Sequence, residues 1–164
     1  MDTRFSSAIH TLILIAASEK PMTSEDIAGS VGTNASYIRK IIGSLKKKDI
    51  IESHRGISGY TLKLKAEELT FLQIYQAVNE TEAIGLFDLH QNPNDQCIVG
   101  RHIKPVLTDM FVEIEEAIVH ALSGKTLADC IGSIQKRFDA EGSSCHLCGG
   151  GAFHYASVCR RSAR

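Results

Sequence analysis

Four polar side chains within five residues carry the first chemical signal of this sequence: Ser36, Tyr37, Arg39 and Lys40. They bring hydrogen-bond donors and two cations, which is what contact with a nucleic acid needs. On a helix, Ser36 and Lys40 point most directly outward. Arg39 carries the planar fork that pairs with guanine O6 and N7 in a major groove, if it swings in. Lys46, Lys47 and Lys48 follow, placed near phosphates or in solvent. Further on, Arg55, Gly56 and Ser58 lie in a glycine-bounded turn, where an arginine can enter a narrow minor groove. Ser24 stands at the start of an earlier helix, whose backbone N–H groups can hold a phosphate.

Sulfur and imidazole make a second set. Cys97 is placed near the start of a long helix, where the helix terminus can lower a thiol pKa; it reads either as a redox-responsive regulatory thiol or as an ordinary cysteine. Cys130 lies on an apolar stripe and reads as core. The tail holds Cys145, Cys148, His154 and Cys159, a Cys-x2-Cys clasp followed by a histidine and a cysteine. That donor set is complete for tetrahedral zinc and resembles a zinc knuckle with one residue too many before His154; the alternative is a flexible tail with chance thiols.

The elements that must position these groups follow from periodicity. Ile38, Ile41, Ile42 and Leu45 recur at i, i+3, i+4 and i+7, so one helix face is apolar and the opposite face polar and basic. Before it, Thr23 caps a shorter helix with Asp26 three residues on, and Gly32 fits its C-terminal stop. Two short helices joined by a glycine-containing turn form a helix-turn-helix pattern. After it, 50–54 and 60–64 read as two strands of a hairpin around the turn at 55–59. Phe5 to Ala16 marks a first helix, and Thr70 with Gln73 caps a helix running to about Val78. A long helix is expected from roughly 99 to 122. Its seam of Ile103, Leu107, Met110, Ile114, Ala117 and Ala121 either packs on its own domain or pairs with a second copy, and Val106, Phe111, Ile118 and Leu122 widen it. Pro105 is benign in a first turn and a kink further in. A last helix starts at Thr126 with Leu127, Cys130, Ile131, Ile134 and Phe138 inward.

Composition limits the function classes. The net charge of −1 over 164 residues hides an asymmetry: residues 1–65 hold ten Lys/Arg and six acids, residues 66–164 eight and thirteen. A polyanion site therefore belongs to the first half. No apolar run is long enough to span a membrane, and the start lacks a signal-peptide layout, so a cytoplasmic protein is expected. His10, His54, His90, His102 and His120 share no face, and no Ser/His/Asp or phosphate-loop spacing is present. An enzyme is not expected.

With these residues in view, the stretch IAGSVGTNASYIRKIIGSLKKKDIIESHRGISGYTL and then LTFLQIYQAV resemble the Rrf-two family of bacterial winged-helix repressors. NPNDQCIVGRHIKPVL is similar to its YwnA-like subgroup in particular. The resemblance spans about residues 3–138 and implies a homodimer joined through the long helix on a two-fold-related operator, with contacts from 36–40 and 55–59. Cluster-binding members place three cysteines in the loop before the long helix; Cys97 alone stands there, so an iron–sulfur cluster of that kind is not expected. The fold expected is mainly α with a small β-hairpin wing: a winged helix-turn-helix domain at 1–80, a loop with a single cysteine at 81–97, dimerisation helices at 98–140 and a Cys/His/Gly-rich tail at 141–164. The function expected is a sequence-specific repressor, with double-stranded DNA and a second copy of itself as partners. A metal- or thiol-based sensor acting on another protein is the alternative.

Overall fold

The structure, a computed structural model, describes residues 3–53 and 59–140. Its elements are α1 (Arg4–Ala17), α2 (Ser24–Val31), α3 (Ala35–Lys47), β1 (Ile51–Ser53), β2 (Tyr60–Leu62), α4 (Phe71–Asn79), α5 (Ile98–Ser123) and α6 (Leu127–Ala140). The chain is thus mainly helical, with one antiparallel hairpin.

Local chemistry accounts for the boundaries. Thr23 and Asp26 form the capping box of α2, the Thr23 hydroxyl accepting the Asp26 N–H at 3.2 Å and the Asp26 carboxylate accepting the Thr23 N–H at 3.2 Å. Gly32 ends that helix at φ 74°. Asn34 then caps α3 by accepting the Tyr37 N–H at 2.8 Å, which satisfies a donor the helix leaves without an internal partner. Thr70 and Gln73 cap α4 in the same reciprocal way.

The core gathers around α1. Leu12, Ile27, Ile38, Leu45, Leu69 and Ile74 are fully buried, so α1 to α4 close one apolar centre. Phe5 meets Phe71 and Tyr75 edge-on, at ring separations of 6.0 and 5.5 Å, and locks α1 to α4. Leu127 at the start of α6 is also fully buried in this core. Backbone bonds pin it there: the Leu127 N–H donates to the Leu69 carbonyl at 2.8 Å and the Phe71 N–H to the Lys125 carbonyl at 2.8 Å. Cys130, Ile131 and Ile134 follow Leu127 against the same core, which fixes α6 to the first domain.

The hairpin is shorter than the alternation suggests. Its register pairs Ile51 with Leu62, Glu52 with Thr61 and Ser53 with Tyr60. Asp49 takes φ 56° and the Ile50 N–H closes back on the Leu45 carbonyl, so residue 50 joins the exit of α3 to the hairpin, its own carbonyl accepting the Lys63 N–H at 2.9 Å. At the other end, the Tyr60 N–H donates to the Met22 carbonyl at 3.0 Å. Gly59 sits at φ 133°, and a Cβ there would fall 2.6 Å from the Pro21 backbone. Only glycine permits that approach, which fastens the base of the wing to the α1–α2 loop.

α5 is different from every other helix. It has no buried residue. One side touches its own chain: Phe111 stacks on Phe87 at 4.8 Å, and the Leu86 N–H donates to Glu115 Oε1 at 2.8 Å. Leu107, Phe111, Ile118 and Leu122 are half-buried on that side, while Val99, Val106, Met110, Ile114, Ala117 and Ala121 are exposed. At ~100° per residue this set spans roughly 80°, an open row beside the covered one; Ile98 and Val112, also exposed, lie off it. Pro105 lies eight residues into the helix, past the first turn, and removes the bond to the Arg101 carbonyl. Among the described residues, no helix is long and apolar enough to cross a membrane.

Candidate nucleic-acid interface

The apolar stripe of α3 decides which of its polar groups face out. With Ile38, Ile41, Ile42 and Leu45 buried, Ser36, Arg39 and Lys40 are exposed and Tyr37 is half-buried. The Tyr37 hydroxyl lies 3.5 Å from Thr3 Oγ1. The Ser36 hydroxyl and the Lys40 ammonium have no partner among the described residues. No carboxylate occurs on α3 itself. The N-terminal half of this helix is therefore a cationic, donor-rich face on a rigid element, the part of a helix-turn-helix that enters a major groove.

Arg39 is not free. It pairs with Glu25 on the first turn of α2. Glu25 Oε2 also accepts the Ser24 hydroxyl at 3.0 Å. The backbone N–H at the helix start, the Ser24 hydroxyl and then the Arg39 guanidinium hold the Glu25 carboxyl below its usual pKa. Ser24 itself is buried and spends its hydroxyl on Glu25. The lysine run also finds protein partners: Lys46 Nζ donates to Ser53 Oγ at 2.8 Å, Lys47 pairs with Glu80 at 2.8 Å, and Lys48 pairs with Glu82. Ser44 donates to Glu80 as well, at 3.2 Å. Lys47 thus reaches the chain just past α4, at the far end of α3 from Ser36, Arg39 and Lys40.

Glu25, Glu80 and Glu82 are the residues that sequence reasoning passed over. Glu25 was visible only as an acid favourable to a helix N-terminus. Nothing in the sequence links Lys47 to an acid 33 positions on. The wing tip residues Arg55, Gly56 and Ser58 lie outside the described residues, and so do Cys145, Cys148, His154 and Cys159.

Cys97 is the N-cap of α5 and is exposed. Its thiol forms no capping hydrogen bond, but the N–H groups of Gly100 and Val99 face the sulfur and pull its pKa below the usual thiol value. Cys130 moves the other way, raised by burial. An iron–sulfur site needs several thiolates together. Among the described residues no three His, Cys, Asp or Glu side chains gather to hold a metal ion, and Cys97 is the sole cysteine of the 81–97 connection. The donor set there does not fit such a cluster.

The sequence matches the Rrf2 family model, described as an iron-dependent transcriptional regulator, over residues 1–133. YwnA of Bacillus subtilis (strain 168), which bears the provisional name of an HTH-type transcriptional regulator, is 40% identical over 129 residues, covering 79% of this chain and 95% of YwnA. A crystal structure of a provisionally named DNA-binding protein is 36% identical, with a TM-score of 0.64 over 78% of this chain and 98% of its own. CymR, the global cysteine regulator of B. subtilis, shares the fold at 18% identity and a TM-score of 0.63, over 81% of this chain and 96% of CymR. Its identity is low enough that this likeness speaks for the fold alone. The family match over residues 1–133 joins a capped helix-turn-helix, a hairpin wing and a long trailing helix in one chain. The chain belongs to the Rrf2 family: it is a winged-helix, DNA-binding transcriptional regulator of YwnA-like type, and not an enzyme.

Proposed function

We propose that this protein is a cytoplasmic repressor that binds a palindromic operator as a homodimer. The observation that carries the reading is the division of α3, whose apolar stripe is locked in the core while Ser36, Arg39 and Lys40 stand outward. Each subunit would lay the start of α3 in a major groove. Ser36, Tyr37, Arg39 and Lys40 would contact bases or phosphates, and Arg55, Gly56 and Ser58 of the wing would approach the neighbouring minor groove. Ser24 and Lys47 contribute less directly, Ser24 because it is buried and Lys47 because it is held against Glu80 at the far end of α3. The exposed row of α5 supports pairing with the same helix of a second subunit, which would set the spacing of two half-sites. In this division residues 1–80 bind DNA, and the helices that follow join the copies.

Cys97 would supply the input. An exposed thiol with a lowered pKa at the start of the pairing helix supports this. A peroxide would transfer one oxygen to the thiolate and leave as hydroxide or alkoxide, and the sulfenic acid formed would alter the dimer and so the grip on DNA.

The test is selection of bound duplexes from a random pool with the native protein, Arg39→Ala and Arg55→Ala in parallel. The native protein is expected to enrich a two-fold-related motif. Arg39→Ala should lose preference at a base pair in each half-site, at a cost of ~1–3 kcal/mol. Arg55→Ala should weaken binding with a smaller change of motif. Absence of any enriched motif for the native protein removes the operator reading, and unchanged binding by both variants removes the contact assignment.

A further inference from the structure

Glu25 suits the first turn of α2, but its neighbour sets it apart. It stands beside the cationic face of α3, where a bound duplex would bring phosphates. Both of its carboxylate oxygens are engaged, Oε2 by the Ser24 hydroxyl and Oε1 by Arg39. The Arg39 and Glu25 side chains are nevertheless 53% and 63% exposed, so the pair is open to an approaching ligand and not sealed in the core. Arg39 reaches Glu25 through Nη2. A guanidinium has five N–H groups, so an edge remains for a second acceptor.

We propose that Glu25 is a specificity-determining residue of this regulator, which orients Arg39 toward a base edge and keeps phosphates from capturing it. The inference rests on the reading of Arg39 as a base contact. An arginine on an exposed helix is long and mobile, and a phosphate within reach binds it in every sequence. Held from α2 by a carboxylate that Ser24 itself fixes, the guanidinium is confined to fewer orientations. Its remaining edge is available to guanine O6 and N7, a contact that only some base pairs offer. The same negative charge repels the duplex backbone whatever the sequence. A matching base offsets that repulsion and a mismatched one does not, so the charge trades overall affinity for discrimination.

The test measures the full-length protein and its E25Q, E25D, R39A and E25Q/R39A variants on the selected operator and on random duplex, over a range of salt. E25Q should bind random duplex more tightly, with a log–log salt slope steeper by ~0.9, the share of one added phosphate contact. Its preference at the base pair read by Arg39 should fall about tenfold, within the range one bidentate contact supplies. E25D, which keeps the charge, should retain most of that preference. R39A should lose the same preference. Adding E25Q to R39A should leave preference unchanged and raise random-duplex binding only by the direct repulsion removed, a smaller rise than in E25Q alone, where Arg39 is also freed. Native preference and native random-duplex binding in E25Q would overturn the role of Glu25 alone. So would a rise in random-duplex binding and salt slope in the R39A background as large as in E25Q alone, or an effect that vanishes once affinity is corrected for the folded fraction. A native motif in R39A would overturn the base-contact reading itself.

Discussion

Cys97 and Cys130 show how one residue type takes opposite properties from its surroundings. Cys97 sits at the mouth of a helix, exposed, where the first-turn N–H groups favour the thiolate. Cys130 packs against the core and burial favours the neutral thiol. Alkylation depends on the thiolate and on access. At neutral pH iodoacetamide should therefore label Cys97 before Cys130, by about tenfold or more in rate. Peptide-resolved mass spectrometry of a time course reads this directly, and equal rates would count against a reactive Cys97. The same contrast runs through the cations. Lys47 and Lys48 sit in a basic run, yet each meets a glutamate from the connection after α4. Such exposed pairs are weak and screened by salt. They orient these side chains more than they hold the fold.

At the scale of the element, α3 carries a glycine without an internal reason. A Cβ at Gly43 would meet no atom within 4 Å. Glycine inside a helix costs ~0.5–1 kcal/mol relative to alanine, and no packing within the chain offsets it. Gly43 shares the outward face of Ser36 and Lys40, so the room it leaves faces the proposed groove. Gly43→Ala should raise stability by ~0.5–1 kcal/mol in urea unfolding while weakening operator binding. Raised stability with unchanged affinity would place this turn clear of the DNA. The caps of α2 and α4 were legible beforehand, because Thr23 with Asp26 and Thr70 with Gln73 follow a local rule three residues long. The strand ends were less legible, since the bond from Ile50 to Leu45 that shortens β1 is made by the exit of α3.

At the scale of the whole molecule, the open question is what covers α5. Met110 is 55% exposed and Ile114 45%, in a chain whose first four helices each bury several apolar side chains in one core. Covering the half of such side chains that stays open is worth ~0.7–1.5 kcal/mol each, about half the value of full burial, which a second copy of the same row would supply. Ile114→Asp should sediment as a monomer at concentrations where the native protein sediments as a dimer, with operator affinity reduced and the α1–α4 core intact by circular dichroism. A native monomer, or a variant that stays dimeric, would refute the pairing.

The sequence alone was enough for the α3 stripe, the two capping boxes, the long helix and the basic first half, because each depends on neighbours within a turn or two of the chain. It could also mark Cys97, since a helix start is a local feature. Tertiary structure decided the rest. Packing placed Leu127 in the core between α1 and the 66–70 segment, and divided the α5 seam into a covered row and an open one. The approach of α2 to α3 brought Glu25 to Arg39, 14 residues apart. Periodicity cannot report such meetings, because they depend on how two separately formed surfaces dock.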